Sequence, residues 1–425
     1  MPSACGYACY QPCLPWCRRG TIEGPVAVNA LKRAVIEHAG VHLQTLSKKE
    51  VMMPTGHSVA IVGSGPAGLT AGYYLAKRKG HGVTVFESHC AAGGQLQYGI
   101  PPYKLPRKPL ESEIAAMTTF PLRLVTGTKI ESLDRLFSSG YEAIFIAVGS
   151  AQPKSLGVEG ESLHGVVYAS TFLQNVARGR TAKLKGRVVV LGGDNVAVDS
   201  ARCAVRLGAS EVVLAFEGTR EEAPALDFEL AAAEAEGVMT LFQATPEAME
   251  QLGRALTVRV SRPQPTTIEA ETVLISAGHL PPVPTDWGID LTPDGLVEAD
   301  PLTLATHRPA VFAGGDCVTG PSSIVQAMAH GRRAAQVIDT LLGGDGDIGE
   351  TFAPPPGDEM QMPSNVTPSG QHQTPMREID VKRRTRTFDL VERGYSKREA
   401  AAEARRCVRC DLWRTAPPTV RQRAE

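Results

Sequence analysis

An α/β fold with two Rossmann-like dinucleotide-binding domains and a short helical Cys-rich N-terminal module is predicted by three observations. Strand, glycine turn, helix and second strand follow one another at residues 58–87 and again at 187–217. Glycine supplies 42 of 425 residues, about a tenth against an average of roughly 7 %, as many tight strand-to-helix turns require. Four of the nine cysteines, Cys5, Cys9, Cys13 and Cys17, crowd the start of the chain.

The length suggests two or three domains at about 150 residues each. With 44 Lys and Arg against 45 Asp and Glu the net charge is −1, which argues against nucleic acid and membrane surfaces as partners. No stretch approaches the roughly 18 apolar residues of a membrane span. The segment Met1 to Cys5 lacks the basic and apolar regions of a secretory signal, so a cytoplasmic location is expected.

In order along the chain, residues 1–55 form the N-terminal module, with a helical period through Val26, Val28, Leu31, Val35 and Ile36 that ends near Lys48 and Lys49. The first dinucleotide domain starts at 56. Its apolar run Val59 to Val62 leads into Gly63-Ser-Gly-Pro-Ala-Gly68, a helix through Lys79, and a second strand ending at Glu87. This domain runs to 180 and resumes over 286–342, where Ala310 to Ala313 precedes Gly314-Gly315-Asp316 and a helix from Ser323 to Leu342. Between them, 181–285 is the second domain: strand Arg187 to Leu191, turn Gly192 to Ala197, helix to about Gly208, strand Glu211 to Glu217. Residues 343–380, rich in Gly, Pro, Ser and Gln without apolar period, read as a linker that orders where it lies on a surface. The tail 381–425 is expected to be helical from Phe388 to Asp411, carrying Cys407 and Cys410.

Each part of the first turn has a physical reason. Gly63 permits the tight turn, Gly65 lets backbone approach a pyrophosphate, and Gly68 lets helix pack close to strand. The helix N-terminus, beginning at Pro66 and Ala67, offers N–H groups and a positive dipole end to phosphate. Glu87, nineteen residues past Gly68, is placed to accept from ribose hydroxyls. A sheet-end Gly315-Asp316 heading a helix suits a flavin's ribityl chain and its N1/O2 edge; the plainer alternative for Asp316 is a helix N-cap.

With Gly93-Gly94-Gln95-Leu96 to Pro101, Ala147-Val148-Gly149, Gly192 to Asp199, Thr219 to Pro224 and Gly314 to Asp316 in this order, the chain resembles the NAD(P)H-dependent flavoproteins related to the glutamate synthase small subunit and to the N-terminal half of dihydropyrimidine dehydrogenase. The resemblance covers nearly everything outside the linker. It implies FAD in the first domain, lined by Gly63, Gly65, Pro66, Ala67, Gly68, Glu87, Gly94, Gln95, Leu96, Ile130, Gly149, Gly315, Asp316 and Ile324. It implies a pyridine nucleotide in the second, at Gly192, Gly193, Asn195, Val196 and Glu217.

The second turn departs from the family twice. Asp194 replaces a usual third glycine and would repel a pyrophosphate unless it turns away. Phe216-Glu217-Gly218 replaces a usual Tyr-Arg-Arg, so both customary phosphate-binding arginines are gone. An acidic residue there accepts from a ribose 2′-OH and repels a 2′-phosphate. Two unit charges 4 Å apart interact by about 4 kcal/mol at an effective dielectric near 20, against about 1.4 kcal/mol per tenfold in affinity. NAD(H) is therefore expected; the alternative is that Glu217 faces solvent and Arg220 grips the phosphate.

Soft thiolates at short spacing in a cytosolic chain read as metal ligands or redox groups before disulfides. Cys90, Cys203 and Cys317 have no neighbouring cysteine and read as small core or supporting residues. In the family a Cys-rich domain holds two [4Fe–4S] clusters. Cys9, Cys13 and Cys17 before Arg18-Arg19-Gly20 resemble the second half of its ligand pattern, and Glu403-Ala-Arg-Arg-Cys407-Val-Arg-Cys410 the first half, at the opposite terminus. The tail is thus expected to fold back beside the N-terminal module. Two clusters need eight ligands, so one [4Fe–4S] cluster is conceivable, with Cys17, Cys407 and Cys410 in it by family correspondence; zinc, or no metal, are the alternatives.

No nucleophile–histidine–carboxylate triad or other acid–base arrangement stands out. Two nucleotide sites without a substrate domain predict an electron-transfer subunit exchanging hydride between NAD(H) and flavin for a ferredoxin-like or Fe–S partner subunit of a larger oxidoreductase, such as an aldehyde or 2-oxoacid oxidoreductase. The alternatives are a free-standing NAD(P)H:ferredoxin reductase, a glutamate synthase small subunit, and a flavin-binding scaffold or redox sensor.

Overall fold

Apolar runs with nothing polar to send to either face become central strands of parallel sheets, and two such sheets organise this chain. The structure is a computed structural model that describes residues 1–39, 53–119, 121–253, 255–261, 265–349 and 370–410.

Helices α1 (Pro2–Ala8) and α2 (Val28–Ala39) open the chain. The helical period expected through Val26 starts only at Val28, after Gly24 at φ +109° and Pro25; its expected end near Lys48 lies outside the described residues. Strand β1 (Ser58–Val62) passes through the Gly63 turn into α3 (Pro66–Tyr73), with Pro66 at the first helical position. A π-helical turn, Tyr74–Arg78, prolongs α3 before β2 (Gly82–Phe86). Then come α4 (Gln95–Tyr98), α5 (Arg107–Met117), β3 (Leu122–Val125), α6 (Leu133–Ser138) and β4 (Ala143–Ile146).

The chain crosses to the second unit through β5 (Gln152–Pro153). There β6 (Val166–Tyr168), α7 (Ala169–Ala177), β7 (Arg187–Leu191), α8 (Asn195–Arg206), β8 (Glu211–Ala215), α9 (Asp227–Ala235) and β9 (Val238–Leu241) follow. An antiparallel meander comes next, β10 (Thr245–Leu252), β11 (Ala255–Ser261) and β12 (Thr266–Ala270), before β13 (Thr272–Ile275) rejoins the sheet. Its parallel order is β6-β13-β7-β8-β9. Val188, Val190, Val212 and Leu214 pack on α7, α8 and α9, while Val189, Leu191, Val213 and Ala215 pack on the meander. The meander was not anticipated from sequence, although Leu256, Val258 and Val260 alternate with polar residues and are buried.

Strand β14 (His279–Leu280) pairs antiparallel with β5 on the way back. Strand β15 (Val311–Ala313) then joins β4, completing the first parallel sheet in the order β15-β4-β1-β2-β3. Helices α10 (Asp316–Thr319) and α11 (Ile324–Leu341) follow, the latter capped by Ser323. A Cβ on Gly331 of α11 would lie 2.3 Å from the Ala67 carbonyl oxygen, so these two helices touch backbone to backbone at that point.

The tail carries α12 (Val381–Arg384) and α13 (Lys397–Arg405). The continuous helix expected from Phe388 is thus corrected to a shorter one: Gly394 sits at φ +73°, and Ser396 with Glu399 forms a capping box that starts α13 afresh. The inner side of α13 is fastened to the N-terminal module. Glu403 accepts from the Ala27 N–H at 2.9 Å, and Arg406 donates to the carbonyls of Gly24 and Pro25 at 2.8 and 3.1 Å. Arg33, almost fully buried, donates to Glu37 and to the Glu392 carbonyl.

Candidate functional site

The carboxyl ends of β1, β4 and β15 lie side by side, and each runs straight into one of the glycine segments singled out from sequence. Gly63, at φ +108°, donates to the Phe86 carbonyl at 2.8 Å. A Cβ there would stand 2.3 Å from the Ala147 carbonyl oxygen, and one on Gly68 would stand 2.0 Å from the Gly63 carbonyl oxygen. A Cβ on Gly65 meets nothing within 4 Å. Two of the three glycines are therefore demanded by the fold itself, while the third leaves an open cradle at the head of α3. Gly94, at φ +54°, borders it, its own Cβ position being 3.0 Å from the Gly65 Cα. This cradle, with the free N–H groups of α3, fits the pyrophosphate of a dinucleotide.

Glu87 has a second task. Burial opposes its ionisation, yet hydrogen bonds from His89 and Ser64 prevail and hold its carboxyl down at about 2. Oε2 accepts from the Ser64 N–H at 3.2 Å and hydroxyl at 2.5 Å, and Oε1 from the His89 N–H at 2.8 Å. The carboxylate aimed from sequence at a ribose thus already braces the turn that precedes α3.

Asp316 heads α10, and its Oδ1 accepts from the Ser322 hydroxyl at 2.6 Å. Burial raises its carboxyl, with the Ser322 bond opposing. The Gly315 N–H donates to Nδ1 of His330 at 3.0 Å, which places that neutral ring's proton on Nε2. Burial, then Arg333, keeps His330 below the usual imidazole range. Of the remaining residues, Leu96 is 1 % exposed and packs with Leu69 and Ala4 of α1, Ile130 is half-buried against the outer face of the sheet, and Ile324 opens α11. Gln95 opens α4, and Gly149 lies beyond β4 at φ +68°.

At the second turn, a Cβ on Gly192 would meet the Ser276 carbonyl oxygen at 2.4 Å, and one on Gly193 the Phe216 ring at the same distance. Asp194 is turned inward. Its Oδ1 accepts from the Ala197 N–H at 2.8 Å, as the cap of α8, and from the Ser276 hydroxyl at 2.7 Å. The repulsion foreseen for a pyrophosphate is thereby reduced, and the amides of Asn195 and Val196 remain at the helix head. The Asn195 side chain accepts from the Leu226 N–H at 3.3 Å.

Glu217 is exposed just beyond β8. Arg220, the other candidate for a 2′-phosphate, donates to Asp227 at 2.8 Å and Glu234 at 2.7 Å. Ser276, His330, Ser64 and His279 were missed from sequence, since each acts through a partner far along the chain or lies outside any glycine signature. His279, on the crossing strand β14, is held below the ordinary imidazole value by burial, against the pull of Asp194 of one site and Asp316 of the other.

The cysteines are spread over the terminal module. Cys17 accepts from the Val26 N–H at 3.3 Å and Cys9 from the Gln11 N–H at 3.4 Å, while Cys13 and Cys407 are exposed and Cys410 is half-buried. Cys5 lies 3.9 Å, sulfur to sulfur, from Met328 of α11. Among the described residues no three His, Cys, Asp or Glu side chains converge as a metal site, so the thiols present do not make up the four-ligand set of a closed cluster or zinc site. Cys203 and Cys317 are fully buried, their thiols pushed up by burial. Cys90, by contrast, is exposed rather than a core residue.

The sequence profile of the family described as "Pyridine nucleotide-disulphide oxidoreductase" matches residues 57–331. The chain is 34 % identical to the NADP(+)-dependent formate dehydrogenase subunit beta of Moorella thermoacetica, covering 95 % of this chain and 64 % of that protein. It is 31 % identical to the NADPH-Fe(3+) oxidoreductase subunit beta of Geobacter sulfurreducens, covering 96 % and 69 %, and 31 % identical to the glutamate synthase [NADPH] small chain of Escherichia coli, covering 80 % and 81 %. It spans just under two thirds of the length of the formate dehydrogenase relative. Among solved structures, FprA from Mycobacterium tuberculosis is similar at a TM-score of 0.58 and 18 % identity, over 68 % of this chain and 85 % of that one. Thioredoxin reductase from T. acidophilum is similar at 0.55 and 22 %, over 66 % and 97 %. These last likenesses are of fold.

Proposed function

Since the chain belongs to the pyridine nucleotide-disulphide oxidoreductase family and is an NAD(P)H-dependent flavin oxidoreductase, we propose that it is the FAD-containing electron-transfer subunit of a larger oxidoreductase, exchanging hydride with NAD(H). The observation that carries this reading is the open cradle at Gly65, at the meeting of three parallel strand ends, together with a second parallel sheet in which the Gly192 turn likewise leads from a strand into a helix head. Gly63 to Gly68 would hold the pyrophosphate of FAD, Gly94 to Leu96, Ile130 and Gly149 would border the rest, and Asp316 with Ile324 would meet the ribityl chain and ring. Bound there, FAD would supply the hydride-accepting and electron-carrying chemistry.

The chain's own residues supply positioning. Ionised Glu87 braces the Ser64 turn, His330 holds the Gly315 N–H, and Asp194 with Ser276 sets the head of α8, where Gly192, Gly193, Asn195 and Val196 would receive the second nucleotide. Preference for NAD(H) is supported by the acidic character of Glu217 at the strand end and by the engagement of Arg220 with Asp227 and Glu234, which counters the alternative that Arg220 grips a 2′-phosphate. The relatives' names point the other way, to NADP(H), so this preference is where the chain would diverge from them.

A partner subunit is supported by the relatives that are named as beta subunits. In this reading the Fe–S relay belongs to that partner; among the described residues Cys9, Cys13, Cys17, Cys407 and Cys410 do not come together as a metal site. The test is anaerobic titration of the FAD-loaded chain with NADH and, in parallel, NADPH, read by flavin absorbance. Bleaching by NADH at lower concentration than NADPH is expected; no bleaching by either would overturn the reading.

A further inference from the structure

The near-zero net charge hides a division. Residues 1–39 and 370–410, which the Glu403, Arg406 and Arg33 contacts tie into one unit, hold 15 Lys and Arg against 8 Asp and Glu, a net of +7 in a chain whose total is −1. The remainder therefore carries −8. We propose that the outer face of this terminal unit docks an acidic electron-carrier protein, a proposal that rests on the electron-transfer reading above and names the surface and the chemistry of its partner.

Helix α13 shows how the face is built. Its inner positions, Ala400, Glu403 and the following Arg406, are committed to the N-terminal module. Its outer positions are Lys397, Arg398, Ala401, Ala402 and Arg405, all exposed, continued by exposed Arg409. Arg398, Ala402 and Arg405 fall at helical spacing on one stripe, and Arg409 follows beyond the end of the helix. Lys397, Arg398 and Arg405 make no ion pair among the described residues.

An ordinary solvated helix face mixes signs, which stabilises neighbours three and four apart. This one presents a single sign separated by alanines that permit close approach. The segment that α13 grips, Gly24 to Ala27, also carries the N–H bound by Cys17, and Trp16 beside that cysteine is 73 % exposed. A bare tryptophan in the same terminal unit as a basic stripe supplies the ingredients of an interface, an aromatic anchor and charges that steer the partner.

The location suits an electron carrier. Helix α1 of the same unit packs on Leu69 and Leu96, and Cys5 touches Met328, so the basic unit sits directly on the elements that border the proposed flavin site. Nucleic acid is the other polyanion to weigh, but the helical stripe from Arg398 to Arg405 is only about 10 Å long, and the chain as a whole is not basic.

The test uses the full FAD-loaded chain and an acidic [2Fe–2S] ferredoxin as probe, with binding measured by calorimetry at 50 and 300 mM NaCl. Binding at the lower salt that weakens at least tenfold at the higher is expected, and the combined variant Lys397→Glu, Arg398→Glu, Arg405→Glu should weaken it at least tenfold at 50 mM. Trp16→Ala should also weaken it several-fold. Melting temperature and flavin bleaching by NADH should stay as in the parent, which separates a lost surface from a lost fold. Absence of ferredoxin binding, equal binding by the triple variant, or equally tight binding of a short DNA duplex would each overturn the proposal. Failure of NADH to bleach the parent would instead sink the flavoprotein reading.

Discussion

Ser276 donates its hydroxyl hydrogen to Asp194 across 2.7 Å, joining the end of β13 to the head of α8 over 82 positions of sequence. The bond turns a carboxylate inward at a place where a phosphate is expected. Asp194→Asn keeps an N-cap oxygen and removes the charge, so nicotinamide nucleotide affinity should rise several-fold with little change in melting temperature. Ser276→Ala releases the carboxylate, and affinity should fall. Titration of nucleotide against both variants checks the sign, and a fall in both would refute the role given to the charge.

Glu217 is predicted to set nucleotide choice. A like-charge contact at 4 Å is worth about 4 kcal/mol at an effective dielectric near 20 before salt screening. Its exposure reduces this, so Glu217→Arg should shift the NADPH to NADH ratio of kcat/KM by at least tenfold towards NADPH. Gly218 is a poor place for the replacement, since a Cβ there would stand 2.7 Å from the Phe216 ring. An unchanged ratio in steady-state assays would remove Glu217 from the nucleotide site.

The Glu87 carboxyl is held at about 2 against its ordinary 4.5 by His89 and Ser64, despite its burial. A lowered folded value means that the stabilisation is present above pH 4.5 and is lost as pH falls towards about 2. Its ceiling is about 3 kcal/mol at about 1.4 kcal/mol per unit. Urea unfolding of Glu87→Gln should show a smaller loss of stability between pH 5 and pH 3 than the parent; parallel profiles would place the acid sensitivity elsewhere, for example at Glu236, also held at about 2 by Arg206 and Arg202 against its burial.

Close approach of α3 and α11 makes Gly331 intolerant. A side-chain carbon 2.3 Å from the Ala67 carbonyl oxygen must part the helices, so Gly331→Ala should cost about 1–3 kcal/mol and weaken FAD retention, because both helix heads border the same cradle. Thermal melting and the FAD content after gel filtration measure the two effects.

Both glycine turns were legible because their signal is local. Gly68 answers to the Gly63 carbonyl of its own turn and Gly193 to Phe216 after the next strand, while Gly63 and Gly192 answer to Ala147 and Ser276 at the ends of the strands on the other side; the glycine spacing recurs in such units. Helix α11 was equally plain, with Ser323 as its cap. The meander β10 to β12 was written in the alternation of Leu256, Val258 and Val260, yet short alternating strands speak less clearly than a glycine turn. The break in the tail lay in Gly394 and Ser396, two capping residues whose meaning depends on where the preceding chain is held.

Local periodicity and turn chemistry thus carried the β1-α3-β2 and β7-α8-β8 units and their glycine turns, because those features require only neighbours within one βαβ unit, whereas most of the remaining strands and the order of each sheet came from the tertiary structure. Side-chain orientation was decided by tertiary contacts. Glu87 was drawn to Ser64 and His89, Asp194 to Ser276, and Arg220 to Asp227 and Glu234, each a competition between partners that spacing alone does not rank. The union of the two chain ends through Ala27 and Glu403, 376 positions apart, likewise depends on burial of Glu403 against backbone N–H groups that no local pattern supplies. That union alone turns scattered arginines into one charged face.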